Sequence, residues 1–294
     1  MRIGLTVLPE HPRDEATRRW RAVEELGFAT GWTYDHLGWR TLVDGPWYGA
    51  VPTLSLAATV TERIEIGPFV VSPNVRSPVP FARDVITLDD LSRGRFTAAL
   101  GAGTPRGYDT EVLGVPRPAS RLARFEEFTV LLDRLLTEER VTHRGEYYTA
   151  VEARNAPGCV QRPRVPFVLA ADGRRTVDLA ARLGDGWVTT GAGGEDLAAW
   201  WRGVADLATA YGEARSRAGH DPASGGRILN TDGAPVYALS AAGLFDDVVG
   251  RAGELGFTDV AVAWPRREGV FAGDEDVLTA ISVPSSPRPA SSGR

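Results

Sequence analysis

Two hydrophobic rhythms alternate along the chain. Short runs rich in β-branched and apolar residues recur at 2–7 (RIGLTV), 30–34, 64–71 (IEIGPFVV), 96–100, 165–170, 187–190, 227–230 and 259–264 (DVAVAW). The run at 64–71 is apolar enough for a strand buried on both faces, as parallel strands are. Between the runs lie stretches with helical spacing. Residues 15–26 repeat apolar side chains at Trp20, Val23 and Leu26 and end at Gly27, a residue that commonly stops helices. Further helices are predicted over 48–61, 80–91, 121–136, 174–183, 195–218 and 241–255.

Two segments break the rhythm. Residues 140–164 (RVTHRGEYYTAVEARNAPGCVQRPR) hold a hairpin-like pattern without a clear helix and read as an insertion. Residues 283–294 (VPSSPRPASSGR) are Pro/Ser-rich and predict a disordered tail. The expected domain is therefore 1–282.

Strands that alternate with helices argue for an α/β fold with a parallel sheet and helices outside it. An open doubly wound sheet competes with a TIM (β/α)8 barrel. The open sheet would usually carry a Gly-rich phosphate turn after its first strand. The corresponding residues here, 9–15 (PEHPRDE), contain no glycine. The barrel is the predicted fold, and its chemistry belongs at the C-terminal ends of the strands.

Composition narrows the function. The chain has 294 residues, 43% of them hydrophobic, enough for a sizeable core. Its net charge of −5 offers no basic field for nucleic acid and no polybasic membrane anchor. All 33 cationic side chains are arginine, which excludes a lysine Schiff base. The single cysteine, Cys159, excludes an internal disulfide framework. The four histidines form no ligand cluster, so no metal site is expected. The opening MRIGLTVLPEHP has no long apolar core after its charge, and no run reaches membrane-spanning length; a cytoplasmic protein is expected.

The strand ends hold the candidate chemistry. After the second strand come Asp35 and His36, an acceptor beside a group that titrates near neutrality. The plain alternative is a histidine packed under a loop. After the fourth strand, Gly101, Ala102 and Gly103 allow close approach or simply a tight turn. After the fifth, Ala171, Asp172, Gly173, Arg174, Arg175 and Thr176 open a helix whose free N–H groups and arginines suit a phosphate. Asp172 counts against this by charge, and helix N-cap is its bland role. Trp39 and Trp264 stand where a substrate would enter, or else plug the mouth. Trp200 and Trp201 sit in a helix and read as packing.

Taken together, GFATGWTYDHL (27–37), IEIGPFVVSPNVRSPVPFARDVITLDDLSRGR (64–95), LGAG (100–103) and ADGRRTVDLAARLGDGW (171–187) resemble the luciferase-like monooxygenase superfamily. Within it, the Asp-His pair is similar to the coenzyme F420-dependent branch. The likeness covers about residues 1–265. It implies a TIM barrel that holds F420, or alternatively FMN, in its mouth, with an insertion closing over the site; 140–164 is the candidate for part of it. It also implies a cis non-prolyl peptide near Phe69 and Val70, with Val71 beside it, backing the cofactor ring. The cofactor phosphate is implied at 171–176 and at the turn near Thr189. His36 is implied beside the reactive ring carbon.

One departure bears on substrate. The sugar-phosphate dehydrogenases of that branch place Glu after the strand-four glycine turn and hold a substrate phosphate with lysines. Thr104 stands at that position, and the chain has no lysine. A small apolar substrate, contacting Trp39, Tyr108 and Trp264, is expected instead. Two other functions compete: an FMN-dependent monooxygenase using dioxygen, and a non-catalytic flavin-binding barrel. A homodimer through barrel helices is the partner state the resemblance carries.

Overall fold

The computed structural model describes residues 1–115, 118–281 and 283. Eight parallel strands form one sheet: β1 (Arg2–Thr6), β2 (Thr30–Thr33), β3 (Glu65–Pro68), β4 (Ala98–Leu100), β7 (Phe167–Ala170), β8 (Gly186–Thr189), β9 (Gly226–Asn230) and β10 (Asp259–Ala263). Their order is β3-β2-β1-β10-β9-β8-β7-β4. The two edges meet. Ile66 pairs with Phe96 and Val71 with Leu100, and the backbone N–H groups of Thr97 and Gly101 donate to the carbonyls of Ile66 and Val71. The sheet is thereby a closed barrel, with β3 to β4 as its loosest seam. All eight predicted strands are present.

The helices form the outer ring: α1 (Arg13–Glu25), α2 (Ala50–Val60), α3 (Pro78–Leu91), α5 (Pro118–Thr137), α6 (Arg174–Leu183), α7 (Leu197–Arg217) and α8 (Ala242–Glu254). Helix α1 shows the local logic. Asp14 and Glu15 lie in its first turn, where acidic groups complement the helix dipole, and Ala16, Trp20 and Val23 form its buried stripe. Two short helices were not legible in the pattern, α4 (Tyr108–Val112) and α9 (Val277–Ala280). Among the described residues, no helix is long and apolar enough to cross a membrane. Positions 284–294 of the expected tail lie outside the described residues.

Strand residues alternate between two cores. Leu8, Trp32, Tyr34, Phe69, Ala99, Val168, Val188, Ile228, Ala261 and Ala263 fill the barrel interior. Their neighbours Val71, Leu100, Leu169, Leu229, Val260 and Val262 face the helices. The indole of Trp32 occupies the interior only because its neighbours are glycine: a Cβ on Gly4 or on Gly67 would run into its ring.

The insertion does not close over the mouth. Residues 140–154 form a hairpin of β5 (Arg140–Arg144) and β6 (Thr149–Arg154). It lies on the outer wall, because its hydrogen-bond partners are there. Glu127 of α5 accepts from the backbone N–H groups of Glu146, Tyr147 and Tyr148 and pairs with His143 at 3.0 Å. Arg83 of α3 reaches the carbonyls of Arg154 and Ala156.

Candidate active site

The strand ends converge on a pocket of about 220 Å³ in the barrel mouth, with Tyr34, His36, Trp39, Phe69, Val70, Ala170, Asp172, Val188, Thr189, Thr190, Asn230 and Asp232 among its walls. Its inner wall is apolar and aromatic; its rim is polar. The peptide between Phe69 and Val70 is cis, at the position the resemblance implies. Phe69 stacks on Trp32, with centroids 4.6 Å apart. Gly101 backs this turn, since a Cβ there would strike Val70.

His36 is fixed from two directions. Its Nδ1 lies 2.5 Å from Oδ2 of Asp109, a residue 5% exposed. The other oxygen, Oδ1, accepts from Leu37 N at 2.8 Å, and Trp47 Nε1 donates to the His36 carbonyl at 2.7 Å. A carboxylate can only accept, so Nδ1 carries the proton and Nε2 is left able to accept or pass one on. Asp109 sits on α4. Asn74 steadies that segment by donating to the Thr104 carbonyl and to the Thr110 hydroxyl.

Asp35 does not share this role. Beyond β2, Tyr34 and His36 line the pocket while Asp35, between them, does not. Asp35 is buried and receives a two-pronged bond from Arg76, Nε at 2.9 Å and Nη2 at 2.7 Å. The Asp35 carboxylate in turn draws the Arg76 guanidinium further up from its ordinary value.

The fifth-strand turn also differs from expectation. Gly173, not Asp172, is the N-cap of α6. Asp172 instead ties two strands together, accepting from Thr189 Oγ1 at 2.5 Å and from Thr190 N and Oγ1 at 2.9 Å each. Its charge is therefore turned towards the β8 tip and off the helix start. Arg174 and Arg175 are exposed there. They and Gly173 and Thr176 flank the pocket and do not line it.

Three further expectations are redistributed by strand alternation. Val71 and Ala171 are buried towards the helices, next in sequence to Val70 and Ala170, which line the pocket. Trp264 follows inward-facing Ala263 and so faces outward. It lies under Arg19, 4.7 Å from the ring centroid, and its Nε1 donates to Glu275 at 2.9 Å. It is not among the walls of the mouth pocket. Ala102 and Gly103 lie behind the pocket wall, where Gly103 abuts Asn74 and its carbonyl accepts from Arg121. Tyr108 packs on Gly38 at the rim. Trp39 does line the pocket, stacked on Phe271 at 5.6 Å with Arg40 over its other face at 4.2 Å.

The sequence reading missed Tyr34, Arg40, Thr190, Asn230 and Asp232. Tyr34, Thr190 and Asn230 close predicted strands, Arg40 adjoins Trp39 and Asp232 lies two positions past a strand; strand parity could have found Tyr34. A larger cleft of about 1020 Å³ lies between α1 and residues 265–275. Its charges are largely satisfied among themselves, Arg266 with Glu10 and Arg19 with Glu15 and Glu275. It has neither the apolar wall nor the convergent strand ends of the mouth.

A closed parallel barrel with an aromatic-walled pocket at its C-terminal mouth defines a TIM-barrel protein. The chain belongs to the luciferase-like monooxygenase family, whose model matches residues 1–229. It is 37% identical over 180 residues to an F420-dependent glucose-6-phosphate dehydrogenase of Kineococcus radiotolerans, covering 59% of this chain and 51% of that one. A protein of the same description from Beutenbergia cavernae is 38% identical over 180 residues, 59% and 52% of the two chains. The chain thus spans about half the length of these curated relatives. In fold it is similar to the coenzyme F420-dependent tetrahydromethanopterin reductase of Methanopyrus kandleri, with TM-score 0.73, 18% identity and coverage of 95% and 96%. It is also similar to an F420-dependent secondary alcohol dehydrogenase, with TM-score 0.75, 19% identity and coverage of 89% and 92%.

Proposed function

We propose that the protein is an F420-dependent oxidoreductase that moves hydride between the deazaflavin and a small, uncharged, largely apolar organic substrate. The observation that carries this reading is the His36–Asp109 pair on the wall of a pocket backed by the Phe69–Val70 turn. The relatives named F420-dependent dehydrogenases support it.

The pocket fits such a ring. Phe69, Val70, Ala170 and Val188 offer apolar contact for its faces, while Thr189, Thr190 and Asn230 offer polar contact for its edges. The pocket has room for a ring system but not for a long cofactor tail, which would cross the rim near the start of α6. There the N–H groups of the helix start, with Arg174 and Arg175, would hold its phosphate. When bound, the deazaflavin supplies a two-electron hydride carrier with carbon at the reactive position. The chain's own residues do the rest. Asp109 holds the His36 ring in one tautomer, His36 Nε2 exchanges a proton at the reacting centre, and Trp39 with Phe271 shields the pocket from water.

Sugar phosphate is a poor candidate substrate. The pocket carries Asp172, Thr104 stands at the glutamate position, and no lysine is available. Direct titration of the pure protein with F420 and with FMN tests the proposal. Tighter binding of F420, followed by oxidation of reduced F420 with small ketones or enones, is the expected result. Preference for FMN with dioxygen consumption would assign the protein to flavin-dependent oxygenation.

A further inference from the structure

The loop after β9 carries a carboxyl that its surroundings leave half satisfied. Asn230 closes a turn on it: Oδ1 accepts from Asp232 N at 3.1 Å, and Nδ2 donates to Asp232 Oδ2 at 3.2 Å. Thr231 anchors the loop by donating from Oγ1 to the Ala261 carbonyl at 3.1 Å. Gly233 lets the loop lie on Thr190, whose carbonyl would otherwise meet a Cβ. Asp232 is thereby held on the pocket wall. The residue as a whole keeps some exposure, but its Oδ1 is buried and has no partner among the described residues.

The charged and titratable groups around it do not neutralise a carboxylate. Arg40, from the loop after β2, reaches the Asp232 main-chain carbonyl at 3.4 Å, while its guanidinium lies over Trp39. Asp172, from the loop after β7, adds like charge and is occupied by Thr189 and Thr190. His36 is turned to Asp109, and Tyr237 donates its hydroxyl to the Ala263 carbonyl at 2.7 Å. A buried carboxylate oxygen with no donor is costly, whereas the carbonyl oxygen of a neutral carboxylic acid carries no charge and costs much less to enclose.

We propose that Asp232, on the pocket wall, is a neutral carboxylic acid whose Oδ2, already held by Asn230, donates its O–H to a carbonyl-type acceptor of the molecule bound there, while the enclosed Oδ1 is left as the uncharged carbonyl oxygen. Burial pushes this carboxyl up to about 7 from its ordinary 3.8, in keeping with that role. In the barrel order only β1 and β10 separate β2 from β9, so His36 and Asp232 stand on different walls of one pocket. Ligand affinity then falls as pH rises through neutrality, when the donor becomes a carboxylate that repels the same acceptor. That the ligand is F420 rests on the function proposed above; the protonation state of Asp232 does not.

The test uses wild type, Asp232→Asn and Asp232→Ala. Infrared difference spectra of the ligand-free proteins follow the protonated-carboxyl band, expected to vanish near neutrality in wild type and to be missing in both variants. Binding of F420 and of FMN is then measured by fluorescence between about pH 6 and about pH 8.5. Asn keeps a donor at every pH, so it should match wild type at the acid end and show less pH dependence. Ala should be weaker at the acid end by about tenfold. The ligand's own ionisation appears in all three proteins and cancels in the comparison. A carboxyl that titrates below about pH 5 overturns the proposal. So do identical pH profiles for wild type and Asn, or Asn as weak as Ala. If FMN binds and F420 does not, the F420 reading fails, and the Asp232 assignment stands or falls on the same comparison made with FMN.

Discussion

His36 Nδ1 lies 2.5 Å from Asp109 Oδ2, so a histidine at the tip of β2 takes its orientation from a helix that begins beyond β4. The pairing divides two roles. In the proposed function His36 exchanges a proton in the pocket, and Asp109 acts through it. Replacing His36 by Ala should lower turnover by about 10²–10⁴-fold while cofactor affinity stays within a few-fold. Asp109→Asn should keep the ring in place but lose the tautomer preference, lowering kcat with little change in KM. If cofactor binding collapses in the His36 variant instead, the ring is a packing element beneath the ligand.

Arg76 and Asp35 form a buried ion pair beside the site, with the Asp35 side chain 3% exposed. Arg76→Ala would strand a buried carboxylate. It should cost about 3 kcal/mol of stability, read from the denaturation midpoint, more than a surface pair would. Adding Asp35→Asn should recover much of that loss. A single-variant loss below about 1 kcal/mol would mean that solvent or another cation reaches Asp35.

The start of α6 is the expected phosphate seat. Arg174→Ala with Arg175→Ala should weaken F420 binding, and more so at about 0.01 M salt than at about 0.15 M, because exposed charges are screened at the higher ionic strength. Equal affinities for wild type and variant at low salt would move the phosphate elsewhere.

Strand identity was written in the chain because buried parallel strands are dense runs of apolar residues, and all eight were readable. The fate of single residues depended on strand parity and partners distant in sequence. Asp35 and His36 are adjacent, yet they have different surroundings, one bound to Arg76 and one on the pocket wall. Trp264 looked like a mouth residue, but alternation after Ala263 turns it under α1. Asp109 could not be read as the histidine's partner because α4 is a single short helix with no hydrophobic stripe to announce it. The hairpin was legible as an interruption but not by location, since Glu127, which binds its tip, is an ordinary polar residue in a helical pattern.

Asp232 ties stability to pH in a direction opposite to most acidic groups. Its folded-state carboxyl is raised to about 7 by burial, while in the unfolded chain it returns to its ordinary value near 3.8. Below that ordinary value both states hold the proton and the group contributes nothing to the balance. Between the two values the folded state keeps a proton that the unfolded state releases, so stability falls as pH rises. Above about 7 the full penalty applies, of order 2–4 kcal/mol for a shift of this size. Asp232→Asn removes the titration. The variant should be more stable than wild type at about pH 8, and the difference should shrink towards about pH 4. Thermal or urea denaturation of both proteins across that range measures it. A stability difference that does not change with pH would show that Asp232 keeps its ordinary carboxylate behaviour in the fold.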